Sequence, residues 1–205
     1  MDVLTYLDAD LCFFGSPELV FEEFADKDVL ITEHGFAPDD LENLQYGRFN
    51  VGWLSFRNNR IGHDCLRRWR GQCVAWCFDR LEDGKFADQK YLDEWPERYG
   101  DHLMFGPPGL NTGPWSLSKT PLTVRDGCLN VGGHPLIVYH FQGVRLYSRR
   151  HFYLGHYFDV VPAGILRFLY FPYVKHLVQA AEQYGLRAGA QERYKTGNIG
   201  YRYAT

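Results

Sequence analysis

The apolar positions of this chain fall into short runs broken by polar turns, and the length and period of each run separate strand from helix. Val3-Leu4-Thr5-Tyr6-Leu7 is a β-prone apolar run that ends abruptly at Asp8-Ala9-Asp10. It predicts a buried strand with two acids at its C-terminal end, the end at which open α/β sheets bind ligands. Ser16-Pro17 predicts a helix start, with Ser16 as cap, Pro17 in the first turn, and Leu19, Val20 and Phe24 on the apolar side. Val29 to Thr32 reads as the next strand, followed by a polar loop through residue 47. Asn50 to Phe56 reads as a strand in which Val51, Trp53 and Ser55 alternate with Gly52, Leu54 and Phe56. From Gly62 to about Leu81, steps of three and four residues through Leu66, Trp69, Cys73, Trp76, Cys77 and Leu81 predict an amphipathic helix.

A second, short helix is expected from Ala87 to Trp95, stopped by Pro96. Gly106 to Pro114 is rich in Gly and Pro and reads as loop. Leu122–Arg125 and Leu129–Val131, joined through Asp126-Gly127, predict a hairpin; Leu136 to Phe141 predicts a strand ending at His140. From about residue 162 the pattern is helical, with Pro172 breaking or kinking it and Gly185 closing the last helix. Residues 186–205 are rich in Gly and Arg and are expected to fray. The pattern implies an α/β domain over 1–150, followed by a helical C-terminal extension over 151–205, without internal repeats.

Composition narrows the function classes. At 205 residues the chain can bury a sizeable core, and 45% apolar with 23% charged residues describes a folded, soluble protein. A net charge of −3 supplies no electrostatic footprint for nucleic acid, so no such partner is expected. Aromatic residues reach 17%, enough both to fill a core and to leave ring faces for stacking on a pyranose. Cys12, Cys65, Cys73, Cys77 and Cys128 are an odd set without paired spacing, which argues against a disulfide framework and for a reducing compartment. Cys73 and Cys77, one helical turn apart, admit a zinc reading, but no second ligand pair follows; buried small residues are the plainer account. No leader pattern and no membrane-length apolar run occurs, so a cytoplasmic location is expected.

The candidate chemistry begins at Asp8 and Asp10. Two carboxylates on a rigid strand end can hold one hard divalent cation and leave positions open for phosphate oxygens. Such a cation neutralises a diphosphate leaving group. Alone, Asp-x-Asp is also a common solvated turn. In context, Tyr6-Leu7-Asp8-Ala9-Asp10-Leu11 resembles the strand-end motif of glycosyltransferases with the GT-A fold. Asn50-Val51-Gly52 is similar to the Asn-x-Gly segment of the glycogenin-like, family-8 type, and Asp88-Gln89 to its Asp-Gln pair, whose acid contacts the donor sugar. His140-Phe141-Gln142-Gly143 resembles the closing His-x-x-Gly element, whose histidine is the third protein ligand to the metal. The longer strings Tyr46 to Trp53 and Phe86 to Leu92 resemble a group of bacterial glycosyltransferase-like sequences, over roughly residues 2–145.

The resemblance implies a GT-A-like mixed sheet flanked by helices. It implies Mn²⁺ or Mg²⁺ on Asp8, Asp10 and His140, with the donor sugar met by Asp88 and Gln89 and by Asn50, Gly52 and Gly143. It also places Asn111 and Trp115 near the active site, where an amide and a ring face on a loop suit hydroxyl recognition and stacking. Each residue keeps a plainer reading. His140 could be a hydrogen-bonded histidine of a half-buried strand, and an imidazole completing an oxygen-rich site suits manganese better than calcium. Asp88 could serve a helix dipole. Asn50 could cap a turn, Gly52 could mark close packing, and Asn111 and Trp115 could form a loop anchored by one buried indole. His34 could line the acceptor side, though a satisfied loop histidine is the simpler expectation.

The implied activity is transfer of a hexose-like sugar from a nucleoside-diphosphate sugar to a glycan or lipid-linked saccharide, as in polysaccharide biosynthesis. In that family several βα units precede the Asp-x-Asp strand and hold the nucleotide, whereas here Met1 falls immediately before it. The chain is therefore expected to lack that half, to carry an apolar strand at a sheet edge, and to self-associate. A non-catalytic remnant of the fold and a metal-dependent phosphate enzyme are the competing classes. The aromatic stretch Leu166 to Tyr173, flanked by Arg167 and Lys175, could meet a membrane surface at the inner face, or pack against the domain.

Overall fold

Phe49–Arg57 is the longest strand of the chain, and all but its last residue is buried, so one element must be covered on both faces. The computed structural model describes residues 2–36, 38–117, 120–148, 151–155, 161–186 and 201–202. They belong to a mixed α/β protein that divides into two units, Met1–His140 and Phe141–Thr205.

In the first unit the elements run β1 (Val3–Leu7), β2 (Leu11–Phe13), α1 (Glu18–Glu23), β3 (Val29–Glu33), β4 (Phe49–Arg57), α2 (Arg60–Ala75), α3 (Trp95–Tyr99) and β5 (Leu103–Phe105). They continue as β6 (Leu122–Arg125), β7 (Cys128–Val131), β8 (His134–Pro135) and β9 (Val138–His140). The central sheet has the order β1-β4-β3-β5, antiparallel except for the parallel β3/β5 pair. One face packs Ile31, Leu54 and Phe56 against Cys65, Leu92 and Trp95; the other packs Leu30 and Trp53 against Val20, Phe24, Leu110 and Val138. A separate pair, β2 and β9, runs antiparallel with Leu11 opposite His140.

Several expectations change. β1 is a strand, but an edge strand and not a buried one: Leu4, Tyr6 and Leu7 are exposed. β4 does not alternate simply. Val51, Leu54 and Phe56 share one core and Trp53 the other, because the chain changes phase between Val51 and Leu54. The ladder with β3 is irregular at the same place, where Leu30 faces Ser55 but Thr32 faces Asn50. Leu19 of α1 points outward, while Val20 and Phe24 are buried. Pro17, not Ser16, takes the N-cap position of α1 and gives no side-chain cap; Ser16, one residue earlier, accepts from the Glu18 amide through its Oγ at 3.2 Å. The segment Pro38–Tyr46, read as loop, is a run of 3₁₀ turns.

α2 stops at Ala75, short of Leu81. Trp76 is extended, and a Glu82–Lys85 bridge closes a turn through Asp83 and Gly84. Pro96 does not stop a helix: 3₁₀ turns over Lys90–Glu94 run into α3, where Pro96 occupies the first turn and lacks only an amide that would go unused. The 126–127 hairpin is as expected, with both Asp126 (φ 50°) and Gly127 (φ 77°) left-handed, as a two-residue type I′ turn requires.

The second unit contains β10 (Val144–Ser148), antiparallel to β11 (His151–Leu154), and two helices, α4 (Ala163–Ile165) and α5 (Phe171–Gln183). A π-helical stretch, Leu166–Tyr170, joins the helices without a break, and Pro172 sits in the first turn of α5. Gly185 (φ 63°) ends α5, as its sequence position suggested. Of the aromatic stretch, Tyr170 and Tyr173 are buried, and Tyr173 stacks on Phe141 with ring centroids 3.7 Å apart; Phe168 is exposed. The expected fraying at 186–205 falls almost wholly on residues outside those described. Among the described residues no helix is long and apolar enough to cross a membrane.

Candidate metal centre and its buried amide network

Three separate pieces of chain bring the acids and the histidine together. Beyond β1 the Asp8 amide donates to the Gly52 carbonyl at 3.1 Å, which fixes the turn carrying Asp8 and Asp10 to β4. The chain then enters β2, whose first residue is paired with His140, so Asp10 arrives beside that imidazole. His140 Nε2 lies 3.0 Å from Asp10 Oδ1 and 3.7 Å from Asp8 Oδ2. One ligand atom from each residue falls within 4.8 Å of the others, and no other such cluster of three occurs among the described residues.

The cluster is graded in exposure: His140 is buried, whereas the Asp10 side chain remains 41% exposed, so the site opens on its carboxylate side. Burial alone would raise the pKa of Asp10, but its hydrogen bond to His140 and the charge there prevail and lower it. Tyr6 donates its phenol to Asp8 Oδ1 at 2.7 Å; burial first, then that bond and the nearby acids, raise its pKa beyond the ordinary tyrosine range. Two carboxylates and one imidazole nitrogen, with open space on one side, suit a divalent cation that keeps free positions for another ligand.

Asp88 belongs to the same neighbourhood. Burial first, and the charge of Asp8 second, raise its pKa above the usual carboxylate value. Its carbonyl accepts from the Trp69 indole of α2 at 2.9 Å, and the preceding Ala87 is left-handed (φ 44°), a costly conformation for a residue with a Cβ. Gln89 is turned elsewhere: its amide donates to the Tyr46 carbonyl at 3.0 Å and fastens the 38–46 turns to this loop. Gly143 lies in the second unit, left-handed at φ 81°, where an added Cβ would come within 3.3 Å of the Gly155 Cα.

Asn50, Gly52, Asn111 and Trp115 lie beneath the acid cluster. Asn50 Oδ1 accepts from the Gly52 amide at 2.7 Å and from Asn111 Nδ2 at 2.8 Å. Asn111 Nδ2 also donates to Thr32 Oγ1 at 2.8 Å, and its Oδ1 lies 3.1 Å from His140 Nδ1. Asn50 Nδ2 is 3.1 Å from His34 Nε2. The Trp115 indole donates to the His34 carbonyl at 2.7 Å and sets its ring edge-on to His140. Asn50 and Asn111 are both buried, so their amides serve neighbouring protein groups. Gly52 is where the three polar groups converge. A Cβ there would fall 2.5 Å from Asn111 Oδ1, 2.7 Å from Asn50 Oδ1 and 2.7 Å from His140 Nδ1, distances that no side chain tolerates.

Sequence reasoning passed over Tyr6 and Thr32 and set His34 aside. The first could have been found from strand alternation, since Tyr6 and Asp8 are two apart and point the same way. His34 is buried, stacked on Phe36 and held by Asn50; burial pushes its pKa down to about 4 against the pull of the Arg48 and Gly47 carbonyls. The zinc reading of Cys73 and Cys77 gains no further ligand among the described residues, and the reading as buried small residues is corrected too: Cys73 is half-buried and Cys77 exposed.

No protein-family model matches the chain. It is similar to two uncharacterized proteins of Bacillus subtilis (strain 168). It is 35% identical to YfnF over 156 residues, which covers 72% of this chain and 52% of YfnF. It is 27% identical to YfnD over 179 residues, which covers 86% of this chain and 58% of YfnD. The chain thus spans just over half the length of each of these curated relatives.

Proposed function

We propose that this chain carries the metal- and sugar-handling part of a nucleotide-sugar-dependent glycosyltransferase of the GT-A type. The observation that carries the proposal is the convergence of Asp8 and Asp10 from one turn and His140 from β9 to within ligand spacing. The order of the Asp-x-Asp, Asn-x-Gly, Asp-Gln and His-x-x-Gly elements along the chain supports the same reading. The donor set fits Mn²⁺ or Mg²⁺, with the imidazole favouring manganese.

The roles then follow from position. Asp8 and Asp10 are the carboxylate ligands and His140 Nε2 the third. A cation held by Asp8, Asp10 and His140 would supply charge to neutralise the diphosphate of a nucleoside-diphosphate sugar. Tyr6 holds the Asp8 carboxylate in place through its phenol. Asp88, kept partly desolvated beside Asp8, is placed to accept a hydroxyl of the donor sugar, and the Trp69 bond to its carbonyl keeps that loop in register. The acceptor would be a saccharide, free or lipid-linked.

The test is thermal unfolding of the chain with Mn²⁺ or Mg²⁺, alone and with UDP, GDP or their sugars. Metal alone should raise the melting temperature of the wild type, by an amount corresponding to about 2.7 kcal/mol at a hundredfold excess over Kd. Nucleotide should add to this only when metal is present, and Asp10→Ala should abolish both effects. A folded wild type indifferent to Mn²⁺, or an Asp10→Ala variant that responds equally, would sink the proposal. A metal response with no nucleotide response would instead favour the non-catalytic reading.

A further inference from the structure

The amide network beneath the acid cluster has only one consistent assignment of donors and acceptors, and that assignment reaches His140. A backbone N–H can only donate, so the Gly52 amide at 2.7 Å identifies the Asn50 atom it meets as Oδ1. The Asn111 atom 2.8 Å from that oxygen must then be its NH₂ group, whose second proton goes to Thr32 Oγ1. The Thr32 hydroxyl is free to accept it because its own proton goes to the Asn50 carbonyl at 3.2 Å. The remaining Asn111 atom is therefore Oδ1. It faces His140 Nδ1 at 3.1 Å, which must carry a proton. Nε2 is left facing the acids, 3.0 Å from Asp10 and 3.7 Å from Asp8. The other end of the chain closes in the same way: Asn50 Nδ2 donates to His34 Nε2, so the proton of His34 sits on Nδ1.

We infer that Asn111, oriented by Asn50 and Gly52, is a positioning residue that holds the proton on His140 Nδ1 and so keeps Nε2 as the nitrogen turned to the cation site. With a proton held on Nδ1, Nε2 is the nitrogen left to meet a cation. Metal-binding histidines are commonly fixed by a partner on their other nitrogen, and loss of that partner typically costs roughly ten- to a hundredfold in metal affinity. The geometry agrees with this role, because both asparagines are buried and their polar atoms are spent within the network. Asn111 adopts φ 56°, a left-handed conformation that asparagine tolerates better than most residues, and it brings the amide under the imidazole. Gly52 is required because any Cβ would occupy the point where the two Oδ1 atoms and Nδ1 meet. The functional meaning of the held proton rests on the reading of His140 as a metal ligand, but its place on Nδ1 does not.

The experiment uses long-range ¹H–¹⁵N correlation spectra of the metal-free, ¹⁵N-labelled chain, with the His140 ring assigned by comparison with His140→Gln. The wild type should show a pyrrole-type Nδ1. Asn111→Gly removes the acceptor without straining the left-handed backbone, and it should abolish the pyrrole-type signature of Nδ1. Asn111→Asp retains an acceptor facing Nδ1 and should preserve the Nδ1–H form, an outcome that a merely structural role would not produce. A pyridine-type Nδ1 in the wild type, or a pyrrole-type Nδ1 unchanged in Asn111→Gly, overturns the inference. If Asn111→Gly does not fold, the wild-type Nδ1 signature decides. Adding Mn²⁺ separates the two proposals. Broadening of the His140 signals, with affinity ten- to a hundredfold weaker in Asn111→Gly, supports both. A pyrrole-type Nδ1 with no Mn²⁺ response leaves the held proton standing and removes the metal reading.

Discussion

At the scale of single residues, burial decides which polar groups can change charge, and His34 is the clearest case. Its ring is enclosed between Phe36 and Trp115, with Nε2 accepting from Asn50 and Nδ1 lacking a partner of hydrogen-bonding geometry. Desolvation pushes its pKa down to about 4, against an unfolded value of about 6.5; the His140 ring opposes the proton, while Asp93 and two carbonyls favour it. A base whose folded pKa is depressed binds fewer protons folded than unfolded in that interval, so stability rises with pH there. The contribution is fully present above about pH 6.5 and lost as pH falls toward 4. Between pH 7 and pH 5 the loss assignable to His34 is about 2 kcal/mol. Urea unfolding at both pH values should show it in the wild type and not in His34→Gln, whose amide oxygen can still accept from Asn50. Equal pH sensitivity in both proteins would mean that His34 titrates normally.

At the scale of elements, the site depends on α2 being anchored at its start. Asn59 caps that helix by accepting from the Gly62 amide at 3.0 Å, and its amide nitrogen also donates to Asp28. The same helix supplies Trp69 to the Asp88 carbonyl, and Arg68 and Gln72 to Glu94. Asn59→Ala should therefore cost about 1–2 kcal/mol in urea unfolding, whereas Asn59→Ser, which keeps a capping oxygen, should lose less than half of that. A loss of equal size in both would assign the effect to the Asp28 contact. What was legible in the sequence follows the same division between local and distant causes. The start of α1 just after Ser16-Pro17, the 126–127 turn and the Gly185 stop are set by neighbours within a few residues. The end of α2 was not legible, because apolar periodicity continues through Cys77 and Leu81 after the backbone has turned at Trp76. Neither was the phase change in β4, which arises from the irregular ladder with β3. Asp8, Asp10 and His140 were identified individually from motif resemblance. Their convergence depends on β2 pairing with β9 across the chain, and the network beneath them depends on Thr32, Asn50 and Asn111 meeting from three segments.

At the scale of the molecule, the central sheet presents a problem of exposed edge. β1 pairs with β4 on one side only among the described residues, and Leu4, Tyr6 and Leu7 are 46%, 40% and 38% exposed. An apolar strand edge of this kind offers unpaired backbone groups to another strand, and a second copy of the same strand is always available in solution. Charge gives weak opposition, since a net charge of −3 over 205 residues is small. The chain alone is therefore expected to self-associate through β1. Sedimentation velocity over a wide concentration range should give a sedimentation coefficient that rises with concentration. Leu4→Lys places a charge on the exposed edge without removing a buried group, and it should shift the distribution toward monomer while leaving thermal unfolding and the Mn²⁺ response in place. A single monomeric species at every concentration would count against edge pairing. Association undiminished in Leu4→Lys would direct attention to other exposed apolar residues, such as Val74 and Phe78 at the end of α2. The metal response serves as the control because Leu4 lies on the strand that leads to Asp8, so a change that disturbed the strand itself would alter both measurements together.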